Sequence, residues 1–170
     1  AYVPEDRGTQ GLIKQMMIRE NVSLSVLKQL SNYSFIKQSE EKSLAQKSIK
    51  QFDIKAYSGE QIVGKLSGGN QQKVVLSKWL ASNPKVLIMD EPTRGVDVGA
   101  KSEIHRLMSQ LAAEKGLAII MISSELPEVL GMSDRVLVMR SGEIVVEFNR
   151  EEATQELVGA AMMSDSRRAA

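Results

Sequence analysis

Two adjacent carboxylates at the end of an apolar run are the residues whose types and spacing most directly suggest chemistry. Asp90 and Glu91 follow the uninterrupted apolar segment 86–89, and Pro92 follows them. In open α/β sheets, ligands bind at the carboxyl ends of the strands. Because successive side chains of a strand point in opposite directions, one acid can face a magnesium ion and the other an attacking water. Taken alone, the pair is better explained as a strand end with solvated charges.

A pair of glycines before a helical segment is the second candidate. Ser67, Gly68 and Gly69 precede a stretch with apolar residues at helical spacing. We expect Ser67 to cap this helix, while the glycines leave backbone N–H groups unshielded at the positive end of the helix dipole. Such an arrangement suits a phosphate. A bare Ser-Gly-Gly, however, is more simply a loop and a helix cap.

Short apolar runs indicate the strands that would position these groups. They are continuous rather than alternating, which predicts burial on both faces in a parallel sheet covered by helices. The runs lie at residues 86–89, 118–122 and 136–139. Between the first two, helical spacing extends over residues 101–113, and Gly116 supplies a stop signal. Ser141 and Gly142 predict a turn into a last strand over residues 143–148, so the third run forms half of a hairpin.

The first half of the chain is mainly helical by the same criteria. Amphipathic helices are predicted over residues 20–30 and 40–52, separated by a polar turn at residues 31–34. A third helix begins after Ser67, and we assign Trp79 on this helix to the core. We therefore predict that this half is an inserted helical subdomain, distinct from the strand-rich second half.

Composition excludes several classes of protein. The chain has 22 Lys and Arg against 21 Asp and Glu, a formal charge of +1, whereas a nucleic-acid binder would show a basic excess. It has no cysteine and one histidine, His105, which excludes disulfide scaffolds, thiolate sites and multi-histidine metal centres. His105 itself reads as a partly exposed residue of the helix over residues 101–113.

In combination, these features resemble the ATP-binding cassette (ABC) ATPases. The segment 66–71 resembles the family signature, 86–90 resembles its Walker B strand, and 95–97 resembles its D-loop. The sequence of residues 90–101 is similar to that of one branch of this family, and so is Asn70 at the end of the signature. That branch is the C-terminal cassette of the duplicated ATPases that energise bacterial importers of ribose, galactose, xylose, arabinose and autoinducer-2.

The resemblance implies a role for each motif residue. Asp90 would bind Mg²⁺ through water, and Asp97 would connect two nucleotide sites at an interface. Catalytic positions of the family fall on Glu91, which would polarise water, on Glu5 at the Q-loop, and on Ser124 at the switch position. The ATP contacts of the signature fall on Ser67, Gly68, Gly69, Asn70 and Gln71.

Departures from the family pattern are equally specific. Glu5 stands where most members have glutamine, and Ser124 stands where they have histidine, so no protonatable imidazole is offered there. His105 is no substitute for that histidine. The chain is expected to begin near the Q-loop and to lack a phosphate-binding loop. Residues 59–65 fit G-x-x-x-x-G-K, but Leu66 replaces the required Ser or Thr and no buried strand precedes them, so we do not expect a nucleotide cradle there.

The fold class implied is α/β: an incomplete P-loop NTPase (ABC) nucleotide-binding domain with a mainly helical signature subdomain, parallel core strands and a C-terminal hairpin. The predicted divisions are a Q-loop strand end, the helical signature subdomain, the Walker B, D-loop and switch half of the core, a C-terminal helix and a frayed tail. They span residues 1–10, 11–83, 84–149, 150–163 and 164–170, respectively.

The function implied is that of a monosaccharide-transporting ATPase that uses ATP and Mg²⁺. Its partners would be a second nucleotide-binding domain, transmembrane permease subunits and, indirectly, an extracytoplasmic sugar-binding protein, with no nucleic acid. It would be cytoplasmic and peripheral on the inner face of the bacterial membrane. Without a phosphate loop, the chain alone is expected to be inactive. The alternatives are a non-catalytic module that donates its signature, and a DNA-repair or chromosome-organising ABC ATPase.

Overall fold

The computed structural model describes residues 1–163, and the tail predicted over residues 164–170 lies outside the described residues. The chain divides into two compact units, the first spanning Ala1–Ile122 and the second beginning at Ser123. The α-helices and strands of the first unit are β1 (Tyr2–Val3), α1 (Ile18–Ser23), α2 (Leu27–Leu30), β2 (Ser31–Asn32), β3 (Phe35–Ile36), α3 (Gln38–Gln51), α4 (Gly68–Leu80), β4 (Val86–Asp90), α5 (Val98–Lys115) and β5 (Ala118–Ile122), and a π-helical turn over Arg7–Gly11 follows β1. Those of the second are α6 (Leu126–Met132), β6 (Arg135–Arg140), β7 (Glu143–Asn149) and α7 (Gln155–Met163).

A parallel sheet in the order β1-β4-β5 forms the base of the first unit. This confirms the parallel pairing predicted from the apolar runs. Leu87 and Met89 of β4 are fully buried, whereas Ile120 and Ile122 of β5 are 51% and 47% exposed. The prediction that every run is buried on both faces is therefore wrong for β5. Successive side chains of β5 point to opposite faces and so alternate in exposure, and α5 packs against this strand. The prediction is also wrong for β6, where Leu137 and Met139 are 48% and 63% exposed.

The helical region is built from α1, α3 and α4, which pack together. The helix predicted over residues 20–30 exists, but a 3₁₀ turn over Leu24–Val26 divides it into α1 and α2. The predicted polar turn is the tip of a small antiparallel hairpin, β2-β3, which the sequence did not reveal. Tyr33 and Ser34 form this tip with φ of 48° and 69°. Two residues with positive φ are what a tight hairpin turn requires.

Buried polar groups tie α1 to its surroundings. The Arg19 guanidinium pairs with the buried Glu41 carboxylate of α3, which also accepts a 2.8 Å hydrogen bond from Ser23. The fully buried Asn21 amide accepts from the Ile13 N–H at 2.8 Å and donates to the Ile13 and Met17 carbonyls at 3.1 and 3.0 Å. These bonds satisfy groups that would otherwise be costly to bury.

Helix α4 contributes three consecutive residues to the core of the first unit. Val74, Val75 and Leu76 are fully buried. Trp79, which we predicted to be core, is half-buried, and its Nε1 is buried without a hydrogen-bond partner within residues 1–163. The assignment is wrong because Trp79 lies near the end of α4, one residue before its last position, with the Lys78 ammonium 4.9 Å from the centre of its ring.

The second unit is organised around the predicted C-terminal hairpin, and β6 and β7 confirm it. Val136, Val138 and Val158 are its buried core, with residues of α6 packed against them. Ser141 and Gly142 form the turn with φ of 51° and 86°, as their positions predicted. The closing helix begins at Gln155 rather than at residue 150, because the Thr154 hydroxyl accepts the Leu157 N–H at 3.2 Å and starts the helix there.

Candidate active site

The carboxyl end of β4 presents Asp90, half-buried, as the last residue of the strand. The parallel pairing of β1 with β4 brings Tyr2 alongside, and the Tyr2 hydroxyl donates a 2.9 Å hydrogen bond to Asp90 Oδ2. This hydrogen bond, followed by burial and by the Asp90 charge, raises the pKa of the Tyr2 phenol. Tyr2 therefore remains a donor to Asp90 over the physiological range. Sequence reasoning missed Tyr2, because its partner lies 88 residues away.

Glu91 does not continue the strand. Its backbone is left-handed, with φ of 46°, and its N–H donates a 2.8 Å bond to the Ile122 carbonyl at the end of β5. The expectation that Asp90 and Glu91 diverge by strand alternation is therefore wrong, since β4 ends at Asp90. A left-handed turn follows Asp90 in place of a further strand residue. Such a conformation is uncommon for a residue with a long side chain and is frequent at functional sites.

The segment after β1 forms an ion pair and hydrogen bonds with the segment after β4. Glu5 forms an ion pair with the Arg94 side chain. Arg7 donates from Nη1 to the Arg94 carbonyl at 2.7 Å and from Nη2 to the Gly95 carbonyl at 3.0 Å. Burial lowers the pKa of the Arg7 guanidinium, although the Asp6 charge partly offsets this. The sequence singled out Glu5 but gave no signal for Arg7, whose acceptors are main-chain atoms.

Helix α4 begins where the signature resemblance placed it, with Ser67 at the cap position. The Ser67 hydroxyl does not cap the helix, so that expectation is wrong; it accepts a 2.8 Å bond from Asn70 Nδ2 instead. Asn70 Oδ1 in turn accepts the Lys55 N–H at 2.8 Å. Asn70 thus links the hydroxyl to the neighbouring loop, and the side chain of Ser67 takes none of the first-turn N–H groups.

The two glycines of the signature are also required by packing. A Cβ on Gly69 would lie 2.5 Å from Ala100 Cβ in the first turn of α5. A Cβ on Gly68 would lie 2.7 Å from Arg7 Nη2 and 3.1 Å from the Gly95 carbonyl oxygen. The glycines therefore allow the start of α4 to approach both α5 and the turn after β4.

Gln71 and Asp97 have local partners. Gln71 Nε2 donates to the Leu66 carbonyl at 3.0 Å. Asp97 Oδ1 accepts the Ala100 N–H at 2.9 Å and caps α5. A cavity of about 240 Å³ lies beside the contact between the signature and the start of α5, and it is lined by Lys55, Ser67, Gly69, Asn70, Lys73, Asp97, Gly99, Ala100 and Glu103. The structure thus brings Asp97 and the signature to one cavity.

The segment that fits G-x-x-x-x-G-K has a different geometry. The Val63 and Gly64 N–H groups donate to the Met16 and Lys14 carbonyls, each at 3.0 Å. The Lys65 N–H donates to the Ile62 carbonyl at 3.1 Å. These three N–H groups therefore already donate to backbone carbonyls. This agrees with the expectation that the segment is no nucleotide cradle.

Ser124 and His105 are the remaining residues singled out from the sequence. Ser124 is exposed and belongs to the second unit, where the neighbouring Ser123 hydroxyl donates to Glu128 at 2.6 Å and accepts the Glu125 N–H at 3.0 Å. His105 is half-buried on α5, in line with its assignment as a helix residue. Among residues 1–163, no three His, Asp or Glu side chains cluster closely enough to hold a metal ion by themselves.

Solved structures support the fold. The dimeric bacterial ABC transporter cassette MJ0796 aligns with a TM-score of 0.73 at 23% identity, over 88% of this chain and 62% of its own. The cbiO1 protein of Clostridium perfringens, part of the ABC transporter complex cbiONQ, aligns with a TM-score of 0.72 at 26% identity, over 89% of this chain and 57% of its own. The predicted fold class, an ABC ATPase with parallel core strands and a terminal hairpin, is confirmed.

Sequence relatives support the predicted branch. The ribose import ATP-binding protein RbsA of Oceanobacillus iheyensis is 58% identical over 158 residues, which are 93% of this chain and 32% of that protein. The xylose import ATP-binding protein XylG of Geobacillus kaustophilus is 53% identical over 93% of this chain and 31% of its own length. The chain thus spans about a third of the curated relatives it matches. The family model for ABC transporters matches residues 1–94. This chain belongs to the ABC transporter family.

Proposed function

We propose that this chain is the signature-bearing part of an ATPase that drives bacterial monosaccharide import. In this proposal the start of α4 contacts the terminal phosphate of an ATP molecule held mainly by a second nucleotide-binding domain. The ribose and xylose import proteins among its relatives support the assignment to sugar import. The partners would be that second domain, the permease and, indirectly, an extracytoplasmic sugar-binding protein.

One observation carries the proposal: the hydrogen bonding of Ser67. Its hydroxyl accepts from the Asn70 amide, so its own proton is left to donate to a ligand. Its side chain also leaves the first-turn N–H groups of α4 without a side-chain cap. Together with the helix dipole, these donors form a positive end suited to phosphate. Asn70 then acts by orienting Ser67, because both ends of its amide already have protein partners.

The two acids would serve the nucleotide site on this chain's own side. Asp90 fits a magnesium ion that is shared with phosphates, because such ions are usually held by one or two carboxylates plus the nucleotide. When bound, the ion would neutralise phosphate charge. The Tyr2 hydroxyl donates a hydrogen bond to Oδ2 of Asp90 and would orient that carboxylate. Glu91, in the left-handed turn that follows β4, would hold the attacking water.

The other predicted residues take supporting roles in the proposal. Ser124 would donate a hydrogen bond to phosphate, Gln71 would brace the signature, and Asp97 would lie at the interface between the two domains. The divisions predicted over residues 1–10, 11–83, 84–149 and 150–163 remain our functional partition of the chain. No helix within residues 1–163 has the length and apolar composition to cross a membrane. We place the protein on the cytoplasmic face of the membrane, attached through the permease.

A second candidate is a module that donates its signature but hydrolyses no ATP at its own site. The ion pair between Glu5 and Arg94 favours this candidate, because it engages the carboxylate at the Q-loop position. Ser124 in place of histidine supports it too, because a hydroxyl cannot act as a base near neutral pH. Both candidates require the start of α4 to bind phosphate, so one experiment addresses the shared claim.

That experiment is Ser67→Ala in the assembled transporter ATPase. Loss of one phosphate donor should lower kcat by about tenfold or more, as for other donors to developing negative charge. Ser82→Ala is the matched control, because Ser82 is an exposed serine just beyond the other end of α4 whose hydroxyl donates to the Trp79 carbonyl at 2.7 Å. An unchanged kcat in Ser67→Ala would refute the proposal.

A further inference from the structure

We propose that Arg7 is a positioning residue of this ATPase, which holds the turn 94–97 in place and, through that turn, the start of α4. The inference rests on the proposed function, because it names a further residue on which the same site depends. Nothing in the signature or Walker B resemblance assigns a role to Arg7.

The hydrogen bonds of Arg7 define the contact. Its two terminal nitrogens donate to consecutive carbonyls, those of Arg94 at 2.7 Å and Gly95 at 3.0 Å. Glu5 pairs with the side chain of the same Arg94, so residues 5 and 7 hold this turn by both its side chain and its backbone. Gly95 has φ of 64°, a left-handed conformation that glycine adopts at little cost, and the turn's own hydrogen bonds join the Arg94 N–H to the Glu91 carbonyl and the Val96 N–H to the Thr93 carbonyl.

Packing extends the effect of Arg7 to the signature. The Arg7 guanidinium lies against Gly68, where a Cβ would come within 2.7 Å of Nη2. The turn leads directly into Asp97, which caps α5, and the first turn of α5 lies against Gly69 through Ala100. Displacement of the turn would therefore move the surface against which both glycines pack.

The chemistry of arginine fits this task better than that of lysine. A guanidinium is a rigid fork that can bind two acceptors at once, whereas an ammonium is a single point charge on a flexible stem. Arg7 is half-buried, and burial lowers its pKa, so its donors lie partly shielded from water. Bonds to the two carbonyls replace the lost hydration, and Arg7→Lys would keep the charge but lose the paired contact.

The test compares Arg7→Met and Arg7→Lys with Arg106→Met in the assembled ATPase. Arg106 is an exposed arginine of α5 in the same unit and serves as the matched control. We expect kcat to fall about tenfold or more in both Arg7 variants, with the KM for ATP changed less than about twofold, because misplaced groups reduce transition-state contacts. Hydrogen exchange of the amides over residues 94–97 should accelerate by a similar factor, while exchange in α3 should not change.

The outcomes separate this inference from the proposed function. Unchanged kcat and unchanged exchange over residues 94–97 in Arg7→Met would overturn the positioning role. So would faster exchange throughout the first unit, because that pattern would show a general loss of stability. If the unsubstituted assembly hydrolyses no ATP, the proposed function fails, whereas the exchange measurement still tests whether Arg7 holds the turn.

Discussion

Two glycine-containing segments, nearly adjacent in the chain, illustrate how little a motif says without its hydrogen bonds. Residues 59–65 match the spacing of a phosphate-binding loop, whereas Ser67, Gly68 and Gly69 form a much shorter pattern. In the longer match, the Val63, Gly64 and Lys65 N–H groups all donate to backbone carbonyls. In the shorter pattern, the Ser67 side chain leaves the start of α4 without a cap.

The difference arises from what each segment packs against. Residues 61–64 run antiparallel to residues 14–18, so their amides pair as in a small sheet. Gly64 is required there by close approach, because a Cβ would lie 2.8 Å from the Lys14 carbonyl oxygen. The glycines of the signature serve close approach as well, but they open a helix whose first turn receives no side-chain cap from Ser67. Available donors, rather than glycine spacing, distinguish the candidate phosphate site.

The largest expected effect comes from Gly69→Ala. The added methyl would collide with Ala100, and such overpacking costs about 1–3 kcal/mol of stability. Thermal unfolding should therefore show a lower midpoint, and the ATPase rate of the assembly should fall because α4 and α5 separate. The backbone N–H of residue 69 survives the substitution, so the loss would report packing and not a missing donor.

A compensating substitution sharpens this test. Ala100→Gly removes the atom that collides, so the double variant Gly69→Ala with Ala100→Gly should recover most of the stability lost, apart from about 1 kcal/mol for a glycine inside a helix. Gly59→Ala is the comparison from the other segment, where the new Cβ would lie 3.1 Å from Ala45 Cβ. Equal destabilisation by Gly59→Ala, or no recovery in the double variant, would contradict the packing account of Gly69.

A smaller effect is expected from Asn70→Asp. The change keeps the shape of the side chain but removes the Nδ2 donor, so the Ser67 hydroxyl would donate to the new carboxylate and no longer to phosphate. We expect kcat to fall by about threefold to tenfold, a change of about 0.7–1.4 kcal/mol, which is less than the full contribution of one hydrogen bond to a charged group. Steady-state ATPase kinetics of the assembly measure this change in kcat.

Asn83→Asp controls for the added charge, because Asn83 follows the other end of α4 and is exposed. It should leave kcat unchanged. If both asparagine variants lose activity equally, negative charge alone explains the loss, and the orienting role of Asn70 is wrong.

The smallest expected effect is that of Lys65→Ala, which tests the longer match directly. Lys65 is exposed, and its N–H is bonded within a 3₁₀ turn. If residues 59–65 formed a nucleotide cradle, loss of this lysine would abolish ATP binding. We expect ATP affinity and kcat of the assembly to stay within about twofold of the unsubstituted protein, a change of roughly 0.4 kcal/mol. A large loss of ATP binding would instead identify residues 59–65 as the phosphate-binding segment.

Local sequence determined most of the secondary structure. Residues 118–122 form β5 as predicted, and Gly116 ends α5 in a left-handed conformation because glycine adopts it without steric cost. The turn at Ser141 and Gly142 likewise follows from local turn chemistry. These features depend on a few neighbouring residues, and their signals are therefore readable in the chain itself.

Tertiary structure alone decided how the site is held together. The bonds from Tyr2 to Asp90 and from Arg7 to the carbonyls of Arg94 and Gly95 join residues more than 80 positions apart. Every residue has a backbone carbonyl, so the residue types in the sequence do not indicate which carbonyls accept from Arg7. Exposure of β5 was equally unpredictable, since an apolar run favours burial of a strand but does not supply the layer that covers it. The identities of the reactive groups are thus a property of the sequence, and their orientation is a property of the fold.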